Sequence, residues 1–350
     1  MTGIRFPAEW ERHEATWLAW PHNRDDWPGK FDAIPWVYAE IVRVLHQAER
    51  VDILCHDPAE CDGAHKILAA HGVDDANYRL LHCPTDRVWL RDSGPTGVLH
   101  DGLLEWCNWE FNAWAKYDNF ALDARVGAFI AGHSHGTCRV PRRPDGSARI
   151  VLEGGGMETD GERTLIVTEE WLLSGVQERN RGMLRSDYEK VFRDELGIEM
   201  TIWLGEGCVG DDTHGHVDDI ARFVAPATVV LAHERDPADE NHRRSADNLQ
   251  RLAGAADAHG RSFRVVTLPF PHPVMMDGQR LPASYANFYI ANGLVLVPTF
   301  NDPNDRVAME TLAALMPTHQ IVGIHAVDLV WGLGTIHCLT QQQPAGRETS

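Results

Sequence analysis

A cysteine close to the end of the chain, Cys338, stands in the run Gly332-Leu333-Gly334-Thr335-Ile336-His337-Cys338, ahead of the polar stretch 340–343. Three other polar clusters precede it at near-regular intervals: Arg91-Asp92-Ser93-Gly94-Pro95, Glu153-Gly154-Gly155-Gly156, and residues 210–219, which hold His214, His216, Asp218 and Asp219. One thiol, one or two imidazoles and several carboxylates form a set suited to attack by a thiolate on a cationic carbon centre. The thiolate is the reactive species, so the cysteine needs partners that create it. His216 suits proton transfer, and Asp218, two residues on, points to the same face if the segment is extended. Glu153 lies where an apolar run meets three glycines, in position to orient His216 by accepting a hydrogen bond. Asp92 follows Trp89-Leu90-Arg91 at what reads as a strand end running into a turn. Taken singly, each has a plainer role: a packed cysteine, a solvated His-x-Asp pair, carboxylates that cap turns, or an Asp92–Arg91 ion pair. Their joint occurrence argues for chemistry. Trp89, Trp106, Trp109 and Trp114 read as core, although Trp89, so close to Asp92, also suits stacking on a planar cation.

These residues are carried by a chain of 350 residues, 43% hydrophobic with 12 tryptophans, enough for a sizeable core and read as one domain over 1–350. A formal charge of −19 excludes nucleic acid and anionic membrane surfaces as partners and suits a small cation. Seven cysteines without CxxC spacing point to free thiols in a reducing compartment rather than to a disulfide or zinc framework. No signal peptide opens the chain, and no stretch reaches the roughly 20 apolar residues of a membrane span. The expectation is a cytoplasmic protein.

A strand–helix–strand rhythm repeats along the sequence. Strands are expected over 15–20, 103–109, 164–168, 228–232 and 294–298, each followed by a helix over 36–48, 121–131, 184–196, 243–258 and 305–315. A second strand then follows at 51–55, 138–140, 200–204, 263–268 and 320–324, and the first unit has an extra helix and strand at 56–71 and 78–82. Five units recurring at roughly 60–65 residues read as an internal repeat. Asp92, Glu153, His216 and Cys338 each follow the last strand of a unit, and Ala283-Ser284-Tyr285 takes the matching place after the fourth. Equivalent loops around a pseudo-fivefold axis would converge on one point. Residues 140–146 read as an exposed loop and 344–350 as a frayed tail.

At this level of detail the chain resembles the agmatine deiminases and the related bacterial peptidylarginine deiminase type, within the guanidine-modifying pentein superfamily. The motifs that carry the resemblance include Pro7-Ala8-Glu9-Trp10-Glu11, residues 89–95, Phe111-Asn112-Ala113-Trp114, residues 152–156, residues 210–219, residues 284–292 and the cysteine run. The resemblance implies an α/β fold, a five-bladed propeller of ββαβ units, and no cofactor or metal. It implies Cys338 as nucleophile, His216 as general acid and base, Glu153 as its orienting partner, Asp92 and Asp218 as guanidinium ligands, and Trp89 and Trp114 beside the substrate. The implied partner is a small cationic guanidine, with agmatine plus water giving N-carbamoylputrescine and ammonia; a homodimer is the assembly considered. The chain departs from the agmatine-specific pattern where a glycine pair gives way to Ala115-Lys116. It departs again at Trp171-Leu172-Leu173-Ser174, across 178–181, at Leu333 in place of glycine, and at His214 in place of aspartate. Competing readings are a deiminase of another guanidine or of peptidylarginine, a hydrolase with a divalent ion on His214, His216 and the neighbouring aspartates, and a binding propeller without catalysis.

Overall fold

A computed structural model describes residues 3–347. After the short β1 (Ile4–Arg5), the first unit runs β2 (His13–Ala19), α1 (Ile34–Leu45), β3 (Arg50–Cys55), α2 (Pro58–Ala70) and β4 (Tyr78–His82). The second holds α3 (Leu90–Ser93), β5 (Thr96–His100), β6 (Leu103–Cys107), α4 (Val126–His133) and β7 (Thr137–Arg139). The third comprises β8 (Glu158–Thr159), β9 (Thr164–Thr168), α5 (Glu169–Leu173), α6 (Arg185–Leu196) and β10 (Met200–Leu204). The fourth is β11 (Ala221–Ala225), β12 (Thr228–Ala232), α7 (Glu240–Ala253) and β13 (Arg264–Leu268). A hairpin of β14 (Met275–Met276) and β15 (Gln279–Arg280) leads to the fifth, β16 (Tyr289–Ala291), β17 (Leu294–Thr299), α8 (Pro303–Leu315) and β18 (Gln320–His325). The chain closes with α9 (Ile336–Leu339) and β19 (Gln341–Pro344).

One pairing rule recurs. In the second to fifth units a first strand lies antiparallel to a second, which lies parallel to a third across a helical crossover. The first unit obeys the rule only because β19 supplies its missing first strand, antiparallel to β2. The two ends of the chain therefore complete one sheet. Contacts pass from β19 to β5, α6 to β1, α7 to β10, α8 to β13 and α1 to β18, so the units close into a ring.

The middle strands are buried on both faces and read as unbroken apolar runs, as in Leu294-Val295-Leu296-Val297 of β17. The helices cover them with one face each: α1 buries Ile34, Tyr38, Ile41, Val42 and Leu45 at helical spacing. α8 starts where Asp302 caps Asn304 N and Pro303 occupies the first turn. The expected second and third strands and the helices between them are all present. The first strands were not located from the residues, although the ββαβ unit implied by the resemblance contains them, and two other expectations change. Leu90–Ser93 is a helical turn, not a strand end. The tail is tied down through residue 347, with Ala345 N donating to Arg12 O and Arg347 N to Gly102 O; residues 348–350 lie outside the described residues. No helix among the described residues is long and apolar enough to cross a membrane.

Candidate active site

Each unit delivers one short segment to the ring interior, immediately ahead of its first strand. Asp92 comes on α3 before β5, Glu153 before β8, His216 and Asp218 before β11, Asn287 before β16, and Cys338 on α9 before β19. The five segments meet. His216 Nε2 lies 3.4 Å from Glu153 Oε2, and its Nδ1 lies 3.7 Å from Asp92 Oδ1. Cys338 Sγ is 3.7 Å from Asp218 Oδ2 and accepts a 3.2 Å hydrogen bond from Asn287 Nδ2. Pseudo-symmetry thus does what the sequence spacing suggested, with one change of detail. Val217–Asp219 forms a helical turn, so it is a turn and not an extended segment that brings Asp218 alongside His216.

The glycines after Glu153 are there for close approach. A Cβ on Gly155 would sit 2.6 Å from His216 Nδ1 and 2.9 Å from Asp92 Oδ1, and one on Gly156 would strike the Trp171 ring. Without that Cβ, Gly155 N can donate to Asp92 Oδ1 at 3.0 Å, while Trp114 Nε1 donates to Asp92 Oδ2 at 2.9 Å. Arg91 is not the ion partner of Asp92; it turns away to Glu9, Gln342 and the His337 carbonyl.

Burial and charge set the protonation states. Burial would raise Glu153, but the Arg179 guanidinium at 3.1 Å and His216 hold it down at about 2. Burial works against a charged His216, yet Asp92, Glu153 and Asp218 together raise it to about 9, so it carries its proton at neutral pH. Asp92 is pushed up to about 6, first by burial and then by Asp218 and Glu153, with His216 opposing. Asp218 stays below the usual carboxylate range despite burial because His337 donates to it at 2.7 Å, whereas Asp219 beside it is driven well up by burial and by Asp218. Burial and the carboxylates of Asp218, Asp219 and Asp92 push the Cys338 thiol well above its ordinary value. The thiol is therefore neutral, in a site that also holds Asp92 and Asp218. Two buried polar atoms at its centre, His216 Nδ1 and Asp218 Oδ1, have no hydrogen-bond partner among the described residues.

A cavity of about 390 Å³ opens onto these groups and is lined by Asp92, Trp89, Trp114 and Cys338, with Arg87, Asp26 and Asp212 farther along its wall. Both expected tryptophans are thus at the cavity. Trp89 also packs against the Gly334 backbone next to Cys338, where a Cβ would come within 2.8 Å of its ring.

The acidic run 211–219 is dispersed. Asp211 accepts from the amides of Thr213, Gly215 and His216, and Asp212 pairs with Lys116 and Tyr117. His214 Nε2 meets Ser174 Oγ at 3.0 Å. The departures from the agmatine-specific pattern interlock in the same place. His214 and Ser174 bond to each other, and Trp171 donates to Glu153 Oε2 at 2.6 Å while standing edge-on to His216. Trp171 therefore touches two chemical residues directly, which spacing along the chain gave no reason to expect.

Sequence reasoning also missed Asn287, His337, Glu9 and Arg179. Asn287 Oδ1 accepts from Thr335 Oγ1 and His337 N, clamping the Cys338 segment. His337 donates on its other side to Glu9 at 2.8 Å. The motifs that hold Asn287 and Glu9 were visible, and Asn287 lies three residues beyond Ser284 in the fourth repeat position. Nothing in the sequence said what these residues touch.

Residues 5–344 match the sequence model of the Porphyromonas-type peptidyl-arginine deiminase family. The chain is 36% identical to the agmatine deiminase of Pseudomonas syringae pv. tomato, the alignment covering 98% of this chain and 96% of that one. It is 35% identical to the agmatine deiminase of Pseudomonas aeruginosa, covering 99% and 97%. Among solved structures, the agmatine deiminase of Enterococcus faecalis superposes with a TM-score of 0.87 at 30% identity, covering 98% of this chain and 96% of that chain.

Proposed function

The chain belongs to the Porphyromonas-type peptidyl-arginine deiminase family, and from that premise we propose that it hydrolyses agmatine to N-carbamoylputrescine and ammonia. The observation that carries the reading to individual residues is the unpartnered pair His216 Nδ1 and Asp218 Oδ1, with Asp218 Oδ2 3.7 Å from the thiol of Cys338, which lines the cavity beside Asp92. A guanidinium is planar and delocalised, and its resonance makes the central carbon a poor electrophile. Asp92 and Asp218 match its hydrogen-bond fork and fix that carbon against Cys338. The bound cation offsets the carboxylates that hold the thiol neutral, so substrate promotes formation of its own nucleophile, and the thiol proton leaves to solvent.

Sγ bonds to the central carbon to give a neutral tetrahedral adduct. His216 gives its proton to one amino group, the C–N bond breaks, ammonia leaves, and a cationic S-alkylthiouronium remains. Neutral His216 then takes a proton from water as the oxygen bonds to the same carbon. Collapse expels the thiolate, which recovers a proton from the ureido product. Glu153, held ionised by Arg179, steadies the imidazole through both halves. Ammonia takes up the proton first lost to solvent, so guanidinium and water become urea and ammonium.

The whole ring supplies the site, so the chain acts as one catalytic domain. The free thiols and the small free substrate fit the cytoplasm, and a homodimer would register as a doubled mass in light scattering. The test is ureido-product formation from agmatine, arginine, methylarginines and guanidino acids, with and without EDTA. Chelator-resistant turnover that favours agmatine is expected. Loss of activity on chelation would replace the thiol mechanism with a metal-assisted one, and preference for another guanidine would overturn the substrate.

A further inference from the structure

Trp171 touches two of the proposed chemical groups and has no part in the steps above. It lies on α5, whose start is fixed by Thr168. Thr168 Oγ1 accepts from Trp171 N at 3.1 Å and donates to the Gly215 carbonyl, which ties the helix to the residue before His216. The buried indole runs inward against the Gly156 backbone. It ends with Nε1 2.6 Å from Glu153 Oε2 and with its ring edge-on to His216, the centroids 5.7 Å apart.

Glu153 Oε2 is a shared acceptor. His216 Nε2 faces the same oxygen at 3.4 Å, while Arg179 Nε donates to the other oxygen at 3.1 Å. An indole N–H can only donate, so Trp171 holds Oε2 at every stage of a reaction that changes the imidazole. Its contact is the short one, and that of His216 is the long one. Arg179 and Trp171 pin the carboxylate by one oxygen each, which fixes where the imidazole must lie to meet it. The indole N–H also stabilises the carboxylate and makes it a weaker base, so it draws less on the proton of His216. A group that must give a proton to the departing amino group and take one from water works best when its partner does not grip that proton.

We propose that Trp171 is a positioning residue for the acid–base pair: its indole N–H shares Glu153 Oε2 with His216, so that the imidazole is aimed and its proton stays transferable. The proposal rests on His216 being the general acid and base. The hydrogen bonds of Trp171 reach neither Asp92 nor Asp218, so its effect belongs in kcat and not in KM.

The experiment compares Trp171→Phe and Trp171→His in the full-length protein, by kcat and KM for agmatine across pH and by thermal midpoint. Phenylalanine keeps more apolar volume and removes the donor. Histidine loses the benzo ring, but its five-membered ring overlays the pyrrole of the indole and puts Nε2 in the place of Nε1. The charged and titratable groups that face His216 are Asp92 on α3, Glu153 with Arg179 behind it, Asp211 and Asp218 on its own segment, and Cys338 beyond Asp218. Glu170 on α5 turns away to Gly207 N. Both variants retain all of them. Trp171→Phe should lower kcat about tenfold with KM within about twofold, and raise the alkaline limb of the pH profile by about half a unit to one unit, because an unshared Glu153 holds the His216 proton more tightly. Trp171→His should keep kcat within about threefold of wild type with no upward movement of that limb, although it loses more packing and melts at the lower temperature. The opposite order, with phenylalanine near wild type and histidine impaired, would show an indole that only fills space and overturns the proposal. Equal losses with an unmoved limb overturn it as well. Should Trp171→His fail to fold, an unmoved or lowered limb in Trp171→Phe overturns it alone; should Trp171→Phe fail, a tenfold loss in Trp171→His does so. His216→Asn, measured beside them, keeps the two claims apart: turnover within about tenfold of wild type in that variant removes the acid–base assignment itself.

Discussion

On the floor of the cavity, Asp218, His337 and Glu9 hold one another at 2.7 and 2.8 Å, and Asn287 fixes both the thiol and the Asp219 carboxyl. Around the rim, Ala113, Trp114 and Ala115 run consecutively through the left-handed region at φ 49°, 59° and 53°, and His214 and Leu333 join them at 64° and 69°. The floor is buried and densely hydrogen-bonded, apart from an unpartnered Asp218 Oδ1. At the rim, residues with side chains adopt a conformation that costs on the order of 1 kcal/mol each outside glycine. The departures from the agmatine-specific pattern at Ala115, His214 and Leu333 all fall at these rim positions. On the proposed mechanism, chemistry rests on the part of the chain that stays with the pattern, and most of the drift falls on the approach to it. Trp171 bridges the two, buried against Glu153 and His216 yet three residues from Ser174 of the His214–Ser174 rim contact in sequence.

If that division holds, substitutions should sort by region. Cys338→Ser should lower turnover of agmatine by about four orders of magnitude or more while the thermal midpoint stays near wild type; residual activity within tenfold of wild type would break the floor side of the comparison. Asp218→Asn should cost about 10²–10³-fold in kcat/KM, since it removes the proposed guanidinium ligand that lies 3.7 Å from the thiol. A steady-state assay with unchanged constants would contradict it.

The pH dependence sharpens the same contrast. Guanidinium capture needs Asp92 ionised, so kcat/KM should fall as pH drops through about 6, where that buried carboxyl takes a proton. Leaving-group protonation needs His216 charged, so the rate should fall again as pH rises through about 9. A bell bounded by those two limbs is expected, the values belonging to the coupled cluster as a whole. A profile flat from 5 to 10 would contradict both assignments.

Rim substitutions should do far less. Ala115→Gly relieves a left-handed alanine at an exposed position and should raise stability by up to about 1 kcal/mol, offset in part by the flexibility of glycine, with kcat within about twofold. A thermal melt that falls instead would show that the turn is not strained. Lys116→Ala breaks the half-exposed pair with Asp212 and should cost under about 1 kcal/mol, with any effect appearing in KM alone.

The legible parts of the fold were those where burial imposes composition. β9, β12 and β17 are covered on both faces, so their apolar runs announce them. Several first strands escape notice because they are short, two residues in β8, three in β16 and four in β19, and β19 carries polar side chains as well. In β19, Gln341 donates to the Pro95 carbonyl, Gln342 accepts from Arg91, and Gln343 accepts from Trp17 Nε1. As a sequence, Gln341-Gln342-Gln343 reads only as a polar run after the cysteine; its pairing with β2 makes it a strand. The site followed the same rule. Cys338, His216, Glu153, Asp92 and Asp218 stand in polar clusters at repeat positions and could be picked out. His337 and Glu9 are 328 residues apart, and their hydrogen bond exists only because the ring closes.

The most direct test of the account is rapid-quench intact-mass measurement of the protein mixed with agmatine, with the modified peptide then sequenced. A transient adduct of the amidine fragment on Cys338, formed and lost at rates that match turnover and absent from Cys338→Ser, is the predicted result. Undiminished turnover with Cys338 unmodified throughout would contradict the account.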